Sequence, residues 1–147
     1  MLLQLFIGSI VVTLSIIIEV IFIFIAVQRM NKLGETKVFS SNLLAMMFYL
    51  IGITLWLLLA FSIVTWLWAF TLFGLGSFSS LEEALYFSMV AFTSLGFGDL
   101  ILGENWRLLS GMIAANGLLL FGLNTAVLVE TLRQVLLAMS SKTKPNA

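Results

Sequence analysis

The stretch Thr93-Ser94-Leu95-Gly96-Phe97-Gly98-Asp99 stands between a short apolar segment, Leu81–Phe92, and a long apolar segment that begins at Leu108. Its two glycines favour irregular backbone and do not continue a helix. The short segment is compatible with a helix, but at about 1.5 Å per residue that helix reaches only about halfway across a membrane. The sequence therefore predicts a half-length helix that ends at an irregular, glycine-rich segment.

Serine and glutamate residues mark the start of this short helix. Ser79-x-x-Glu82 and Ser80-x-x-Glu83 are overlapping capping boxes, in which a hydroxyl group and a carboxylate satisfy free backbone N–H groups. Both glutamates also favour the positive end of the helix dipole. We therefore predict that the helix occupies residues 80–92.

The composition is that of a membrane protein. Of the 147 residues, 61% are hydrophobic and only 10% are charged, whereas soluble domains carry roughly 25% charged residues. The chain has no cysteine, so it offers no disulfide and no thiolate nucleophile. It also has no histidine, which is the commonest general base and metal ligand. We therefore expect neither an enzyme nor a cofactor, and no nucleic-acid partner.

Three apolar segments exceed the roughly 20 residues that a helix needs to cross the hydrocarbon core. They cover residues 2–27, 43–73 and 108–129. The first segment lacks the positive start and the cleavage site of a secretory signal, so we interpret it as a retained span. The predicted fold class is therefore all-α integral membrane, with three transmembrane helices.

The charged residues predict the orientation of these spans, because basic residues gather on the cytoplasmic side of short loops. Six of the seven basic residues lie between the first two spans or after the third: Arg29, Lys32, Lys37, Arg133, Lys142 and Lys144. The loop between the second and third spans instead carries four acidic residues: Glu82, Glu83, Asp99 and Glu104. We expect the N-terminus and this loop to lie outside, the C-terminus to be cytoplasmic, and the protein to be in the plasma membrane.

The half-length helix lies within this acidic outer loop. Irregular backbone at membrane depth is tolerated only where protein buries it or where it lines a watery cavity. The helix and the segment after it therefore form either a re-entrant loop or a turn on the surface. The residues alone favour re-entry and leave the second alternative open.

Residues 86–99 resemble the pore helix and signature sequence of the potassium channel family, whose pattern reads T-T-V-G-Y-G-D. Five positions match directly: Thr93, Gly96, the aromatic Phe97, Gly98 and Asp99. Ser94 replaces a threonine but keeps the hydroxyl group, and Leu95 replaces valine or isoleucine. Downstream, residues 117–126 are similar to the inner helix after its hinge glycine, which here is Gly117. The resemblance covers residues 43–129.

The resemblance implies an organisation for the whole chain. It comprises an extra N-terminal transmembrane helix (1–29), a cytoplasmic linker (30–42), a pore module (43–137) and a flexible cytoplasmic tail (138–147). Within the pore module, the outer helix occupies residues 43–73, the pore helix 80–92, the filter 93–99 and the inner helix 107–137. One loop supplies only a quarter of each ring of oxygens, so the implied assembly is a homotetramer among membrane lipids.

The resemblance also implies roles for individual residues. Rings of carbonyl groups replace the water around a permeating K⁺ ion, and these groups would come from Ser94, Leu95, Gly96 and Phe97. The Ser94 hydroxyl group would lie at the inner mouth, and the Leu95 and Phe97 side chains would point outward into packing. Helical spacing places five residues on one face of the third span, which the resemblance makes the cavity wall: Ala114, Leu118, Phe121, Thr125 and Val129.

Departures from the family pattern leave alternatives open. Tyr86 and Phe87 stand where many members carry two tryptophans that brace the filter, and Phe97 lacks the hydroxyl group that such a brace would bond. Val90 replaces a glutamate that some members place behind the filter, so Asp99 loses that possible partner. The alternatives to a potassium-selective channel are a weakly selective cation channel and a non-conducting membrane scaffold with a channel-like fold.

Several residues inside the spans have no assigned role. Glu19 should face protein, where it could sense pH, couple the first helix to the pore or dock that helix through a hydrogen bond. We expect Asn124 to contact a neighbouring subunit or cavity water rather than its own chain. Gly111 and Gly122 are expected to allow close helix packing. The sequence identifies no regulatory partner.

Overall fold

Four helices make up the described part of the chain. The computed structural model of the protein describes residues 1–34 and 43–140. The helices are α1 (Leu2–Gly34), α2 (Leu43–Gly74), α3 (Leu81–Phe92) and α4 (Arg107–Ser140). The described residues contain no strand, so the all-α prediction is confirmed. Residues 35–42 of the predicted linker and residues 141–147 of the predicted tail lie outside the described residues.

The helices α1 and α4 are longer than the sequence predicted. α1 continues past residue 29 to Gly34, and α4 continues past residue 137 to Ser140. Neither extension contains a proline, and α1 ends at the first glycine after Gly8. The charged residues used for the prediction mark where a helix leaves the hydrocarbon, which is not where its backbone hydrogen bonds end.

The three long helices are apolar enough to cross a membrane, over Leu2–Arg29, Leu44–Gly74 and Arg107–Leu137. Many of their large apolar side chains, such as Phe24 and Leu55, are exposed in the single chain. Water would disfavour so much contiguous apolar surface, whereas lipid tails do not. The three predicted spans are therefore confirmed as helices of the right length and composition for an integral membrane protein.

The helix α1 packs against both α4 and α2. Its buried face is a stripe of mainly small or polar residues at helical spacing: Gln4, Gly8, Val11, Ser15, Glu19 and Ala26. A Cβ atom at Gly8 would overlap the flexible end of the Met112 side chain, so glycine leaves room for this side chain between α1 and α4. Near the start of both helices, the Leu108 N–H donates to Gln4 Oε1 at 3.3 Å. This bond satisfies one of the free amides in the first turn of α4.

The short helix α3 is held in a core that the longer helices build around it. The buried cluster contains Trp68 and Leu72 from α2, Phe92 from α3, and Ile113 and Leu120 from α4. Lipid tails are as apolar as these side chains, so close packing rather than removal from water stabilises such a core. The cluster fixes α3 between α2 and α4.

The helix α2 ends in a Schellman motif that turns the chain toward α3. The Ser77 N–H donates to the Leu72 carbonyl at 3.1 Å, and the Gly76 N–H donates to the Phe73 carbonyl at 3.0 Å. The motif needs a left-handed residue, and Gly76 supplies it with a φ of +67° at little steric cost. This turn brings the chain to the residues that start α3.

Candidate functional site

The helix α3 begins at the N-cap residue Ser80, which is supported by Glu83. The Glu83 N–H donates to Ser80 Oγ at 3.1 Å, and Ser80 has the extended backbone of an N-cap residue. Glu83 Oε2 accepts hydrogen bonds from the N–H and the hydroxyl group of Ser79, at 3.2 and 2.8 Å. Of the two predicted boxes, the one at Ser80 forms its hydroxyl bond, but its carboxylate bonds Ser79 instead of the Ser80 N–H. Glu82 is exposed in the first turn.

The helix α3 ends in a second Schellman motif, centred on Ser94. The Leu95 N–H donates to the Val90 carbonyl at 3.0 Å, and the Ser94 N–H donates to the Ala91 carbonyl at 2.9 Å. Ser94 accordingly has a φ of +59°. Glycine usually fills this position, and a side chain there costs about 1–2 kcal/mol. The two hydrogen bonds thus hold a serine in a conformation that serine rarely adopts.

Left-handed backbone recurs at every second residue after this cap. Gly96 has a φ of +56° and Gly98 a φ of +78°, whereas the intervening Leu95 and Phe97 have no positive φ. When left-handed and right-handed residues alternate, successive peptide groups can face the same side of the chain. This alternation of φ is compatible with a row of carbonyl groups that face one side.

The hydrogen bonds to the end of α3 give the direction of the first carbonyl groups. The N–H groups of Leu95 and Gly96 both point to the Val90 carbonyl, at 3.0 and 3.4 Å. In a planar trans peptide the carbonyl group points opposite to the N–H group, and no described peptide bond is cis. The carbonyl groups of Ser94 and Leu95 therefore both point away from the end of α3.

A hydrogen bond ties Asp99 back to the side of α3. The Tyr86 hydroxyl group donates to Asp99 Oδ2 at 2.6 Å. This bond holds the pKa of the Asp99 carboxyl group below its usual value and raises the pKa of the Tyr86 hydroxyl group. The sequence provided no partner for Asp99 once Val90 had replaced the glutamate, and the structure shows that Tyr86 takes this role. Residues 94–98 are thus anchored at both ends.

The apolar side chains between these anchors extend away from the protein. Leu95 is 62% exposed and Phe97 is 66% exposed, and neither belongs to a core cluster of the described chain. The outward packing predicted for them is therefore not supplied by their own chain. Behind the segment lies a cavity of about 400 Å³, lined by α3, by Gly96 and Gly98, and by the start of α4.

The helix α4 approaches the end of α3 at Gly117. A Cβ atom at this position would collide with the Phe92 carbonyl group, whose carbon would lie 2.8 Å away. Close packing therefore requires this glycine, while its role as a hinge stays a prediction. Close packing at Gly111 and Gly122 stays a prediction, because in the single chain no described atom outside the adjacent turns of α4 lies within 4 Å of a Cβ placed at either position.

The predicted cavity face of α4 is largely exposed in the single chain. Four of its five members are exposed: Leu118, Phe121, Thr125 and Val129. Ala114 is half-buried, and the Phe121 ring also contacts the Phe61 ring of α2, with 4.9 Å between their centroids. A surface that lines a cavity or meets another subunit would have this exposure.

Glu19 is fully buried where α1 meets α4. Asn124 of α4 interacts with its carboxyl group, although neither carboxyl oxygen reaches a described partner with hydrogen-bond geometry. The expectation for Asn124 is therefore corrected, because this side chain lies buried against its own chain. Asn116 is buried as well, and among the described residues neither of its amide atoms has a hydrogen-bond partner.

Sequence reasoning missed the conformation of Ser94 and the partner of Asp99. Residue preferences favour glycine at the Ser94 position, and no local spacing rule connects residues 86 and 99. The packing face of α1 could have been found, because Gly8, Ser15 and Glu19 are small or polar residues at helical spacing in an apolar segment.

Two spans flank a half-length helix and an anchored glycine-rich segment. This arrangement is that of the pore module of a membrane channel. A family model described as ion channel matches residues 60–134, which include all the candidate site residues and about half of the chain. The chain therefore belongs to this ion channel family, and the predicted family is confirmed. Ion channels are not a class of enzymes, which agrees with the expectation above. No curated protein and no solved structure matches the chain.

Proposed function

We propose that the protein is a potassium-selective channel that conducts K⁺ passively as a homotetramer. In this proposal α3 is the re-entrant pore helix and residues 93–99 are the selectivity filter. The observation that best supports the proposal is the backbone after α3, where left-handed residues alternate and two successive carbonyl groups point away from the helix.

The proposed chemistry is the exchange of water for fixed oxygens. A K⁺ ion that enters a dry constriction must replace its hydration shell, and carbonyl groups can supply oxygens without carrying a full charge. The carbonyl groups of Ser94, Leu95, Gly96 and Phe97 take this role, with the Ser94 hydroxyl group at the inner mouth. The hydrogen bonds to Val90 and from Tyr86 support it, because they limit collapse of the segment when no ion is bound.

We propose a tetramer because one chain surrounds no ion and leaves apolar side chains uncovered. A single chain contributes one segment, so four copies are needed to surround an ion. The exposure of Leu95 and Phe97 and of the Leu118 face of α4 supports this assembly, because a neighbouring subunit or the pore would cover these side chains.

Electrostatics favour a cation on the proposed path. The negative C-terminal ends of four α3 helices would point toward a common cavity. Asp99, Glu82 and Glu104 would make the outer vestibule attractive to cations, with the N-terminus and this loop outside. Arg29 and Arg133 would lie on the cytoplasmic side, in agreement with the distribution of basic residues.

The test is flux of rubidium into liposomes that contain the purified protein, with Gly96→Ala as the variant. A Cβ at Gly96 meets no atom within 4 Å but sits on backbone with a φ of +56°, so it disturbs the filter without breaking the core. Gly103→Ala is the matched control, because Gly103 also has open surroundings and no positive φ. We expect flux in the wild type and in Gly103→Ala, and its loss in Gly96→Ala.

Weak cation selectivity is the second candidate, since Phe97 has no hydroxyl group with which to brace the filter and Tyr86 and Phe87 replace the bracing tryptophans. Reversal potentials in mixed potassium and sodium separate the two candidates. Equal permeability to both ions would reject potassium selectivity. Silence of the wild type across pH and voltage would instead favour a non-conducting scaffold.

A further inference from the structure

A groove lies between the end of α1 and the start of α2. It has a volume of about 270 Å³ and is lined by Ala26 and Arg29 of α1 and by a face of α2 that extends from Phe48 to Trp56. The groove needs both helices, so the two-helix pore module alone could not form it. The residues matched to the channel family begin after this face of α2.

Arg29 lies at one end of this groove and makes no ion pair among the described residues. It is the last residue of the first span, so its guanidinium group lies where hydrocarbon meets lipid headgroups. Arg133 of α4 differs, because it donates two hydrogen bonds of 2.8 Å to the Glu130 carboxylate. Within residues 1–34 and 43–140 the charge of Arg29 is thus not paired with an acidic side chain, whereas that of Arg133 is neutralised by Glu130.

The remainder of the groove is mainly apolar and extends into the hydrocarbon. From Phe48 to Trp56 the helix is about 12 Å long. Trp56 is fixed by the bond from its Nε1 to the Phe22 carbonyl, at 3.0 Å, and by contact with the Phe22 ring. No described atom outside the adjacent turns of α2 lies within 4 Å of a Cβ placed at Gly52, so the floor of the groove is open. One charged end and one apolar end suit an amphiphile that lies along the helices.

We propose that this groove binds one anionic phospholipid from the leaflet around the C-terminal end of α1. The lipid phosphate pairs with the Arg29 guanidinium group, and the upper part of one acyl chain passes over Gly52 as far as Trp56. Lipid molecules surround this face of the protein, so the proposed occupant is already next to the groove. The site belongs to the extra helix, so the proposal does not depend on ion conduction.

The acidic residues that the structure describes argue against a second copy of the chain as the occupant. A second copy would have to bring a carboxylate to Arg29 to avoid burying an unpaired charge. Among the described residues, Glu19 is buried and Glu130 is paired with Arg133. The remaining described acids lie between α2 and α4, at the other end of α2 from the groove.

The test uses the full-length protein in phosphatidylcholine vesicles that contain phosphatidylglycerol brominated on its acyl chains. Bromine quenches tryptophan fluorescence on contact, and subtraction of a Trp56→Phe variant isolates the signal from Trp56. We expect this signal to saturate as the brominated phosphatidylglycerol fraction increases. Arg29→Gln should weaken the affinity about fivefold, which corresponds to about 1 kcal/mol for one basic residue near a membrane surface. Arg29→Lys should retain most of the affinity.

Two further variants separate the groove from general membrane charge. Arg133→Gln removes the same charge from a paired residue and should leave the quenching curve unchanged. Gly52→Leu fills the groove and should abolish saturation although Arg29 is present. Equal effects of Arg29→Gln and Arg133→Gln, or equal quenching by brominated phosphatidylcholine, would overturn the proposal. A change of subunit number in Arg29→Gln, measured by native mass spectrometry, would show that a second copy covers the groove, and this too would overturn it.

Discussion

Asp99 and Tyr86 are both exposed, yet the 2.6 Å hydrogen bond between them connects the last residue of the glycine-rich segment to α3. The bond lowers the pKa of the Asp99 carboxyl group. A group with a lowered pKa contributes stability that is present above its usual pKa and is lost as the pH falls through the lowered value. At neutral pH the carboxylate is therefore charged and the anchor is intact.

Tyr86→Phe should raise the pKa of Asp99 toward its usual value, because the variant removes the hydroxyl donor. Asp99 is the single aspartate of the sequence, so selective ¹³C labelling of aspartate carboxyl groups yields one NMR resonance. The titration midpoint of this resonance should move to higher pH in the variant. An unchanged midpoint would show that Tyr86 does not stabilise the carboxylate in the membrane.

The two Schellman motifs place different residues at the same left-handed position, Gly76 after α2 and Ser94 after α3. Ser94→Gly should raise the free energy of unfolding by about 0.5–1 kcal/mol. Glycine removes the steric cost of the left-handed conformation, and this gain exceeds the entropy that glycine adds to the unfolded chain. Gly76→Ala should lower the free energy of unfolding by a similar amount. Thermal unfolding in detergent, followed by circular dichroism, measures both. Shifts of the same sign would argue against the left-handed conformation at one of the two caps.

At the scale of elements, α3 is held by caps at both ends and by contact with its neighbours. Ser80 and Glu83 cap its start, and the Val90 carbonyl accepts the bonds that end it. Gly117 brings α4 against the Phe92 carbonyl group. The position of the glycine-rich segment therefore depends on how closely α3 and α4 pack.

Gly117→Ala should destabilise the protein by about 1–3 kcal/mol, because the added methyl group overlaps backbone that cannot move aside as a flexible side chain can. Gly122→Ala is the control on the same helix. Its surroundings are open in the single chain, so the helix preference for alanine should stabilise the protein by up to about 1 kcal/mol. Unfolding temperatures in detergent compare the two variants. Equal losses would mean that Gly122 is also closely packed, against a neighbouring subunit.

At the scale of the whole molecule, α1 packs closely within one chain, whereas one face of α4 is left open. The small and polar stripe of α1 is buried against α4 and α2, and Glu19 lies within it. By contrast, Leu118 and Val129 of α4 are 62% and 61% exposed. These open surfaces are on α4, so in the proposed tetramer assembly is expected to occur there and to leave α1 on the periphery.

The purified protein should therefore have four times the mass of one chain. Native mass spectrometry from detergent measures this number directly. Gly96→Ala should assemble equally well, because its effect is confined to backbone with open surroundings. A dimer, a trimer or a monomer in the wild type would reject the proposed fourfold pore, and loss of assembly in Gly96→Ala would mean that its flux defect is not local.

The sequence by itself determined the features that depend on local chemistry and on hydropathy. Three long apolar segments predict three membrane-spanning helices. A helix satisfies all its backbone hydrogen bonds within one segment, whereas a single strand in lipid would leave them unsatisfied. Ser80 and Glu83 start α3, and Gly96 and Gly98 allow the left-handed backbone of the segment after it. Capping and backbone freedom involve only neighbouring residues, so the sequence shows both.

Only the tertiary structure decided the features that join distant parts of the chain. The Tyr86 bond to Asp99, the contact of Gly117 with Phe92 and the burial of Asn124 beside Glu19 each depend on the relative positions of two elements. The left-handed conformation of Ser94 also overrides its residue preference, because two hydrogen bonds and the packed end of α3 outweigh the steric cost. Local preferences specify which helices form, whereas packing specifies which of their atoms meet.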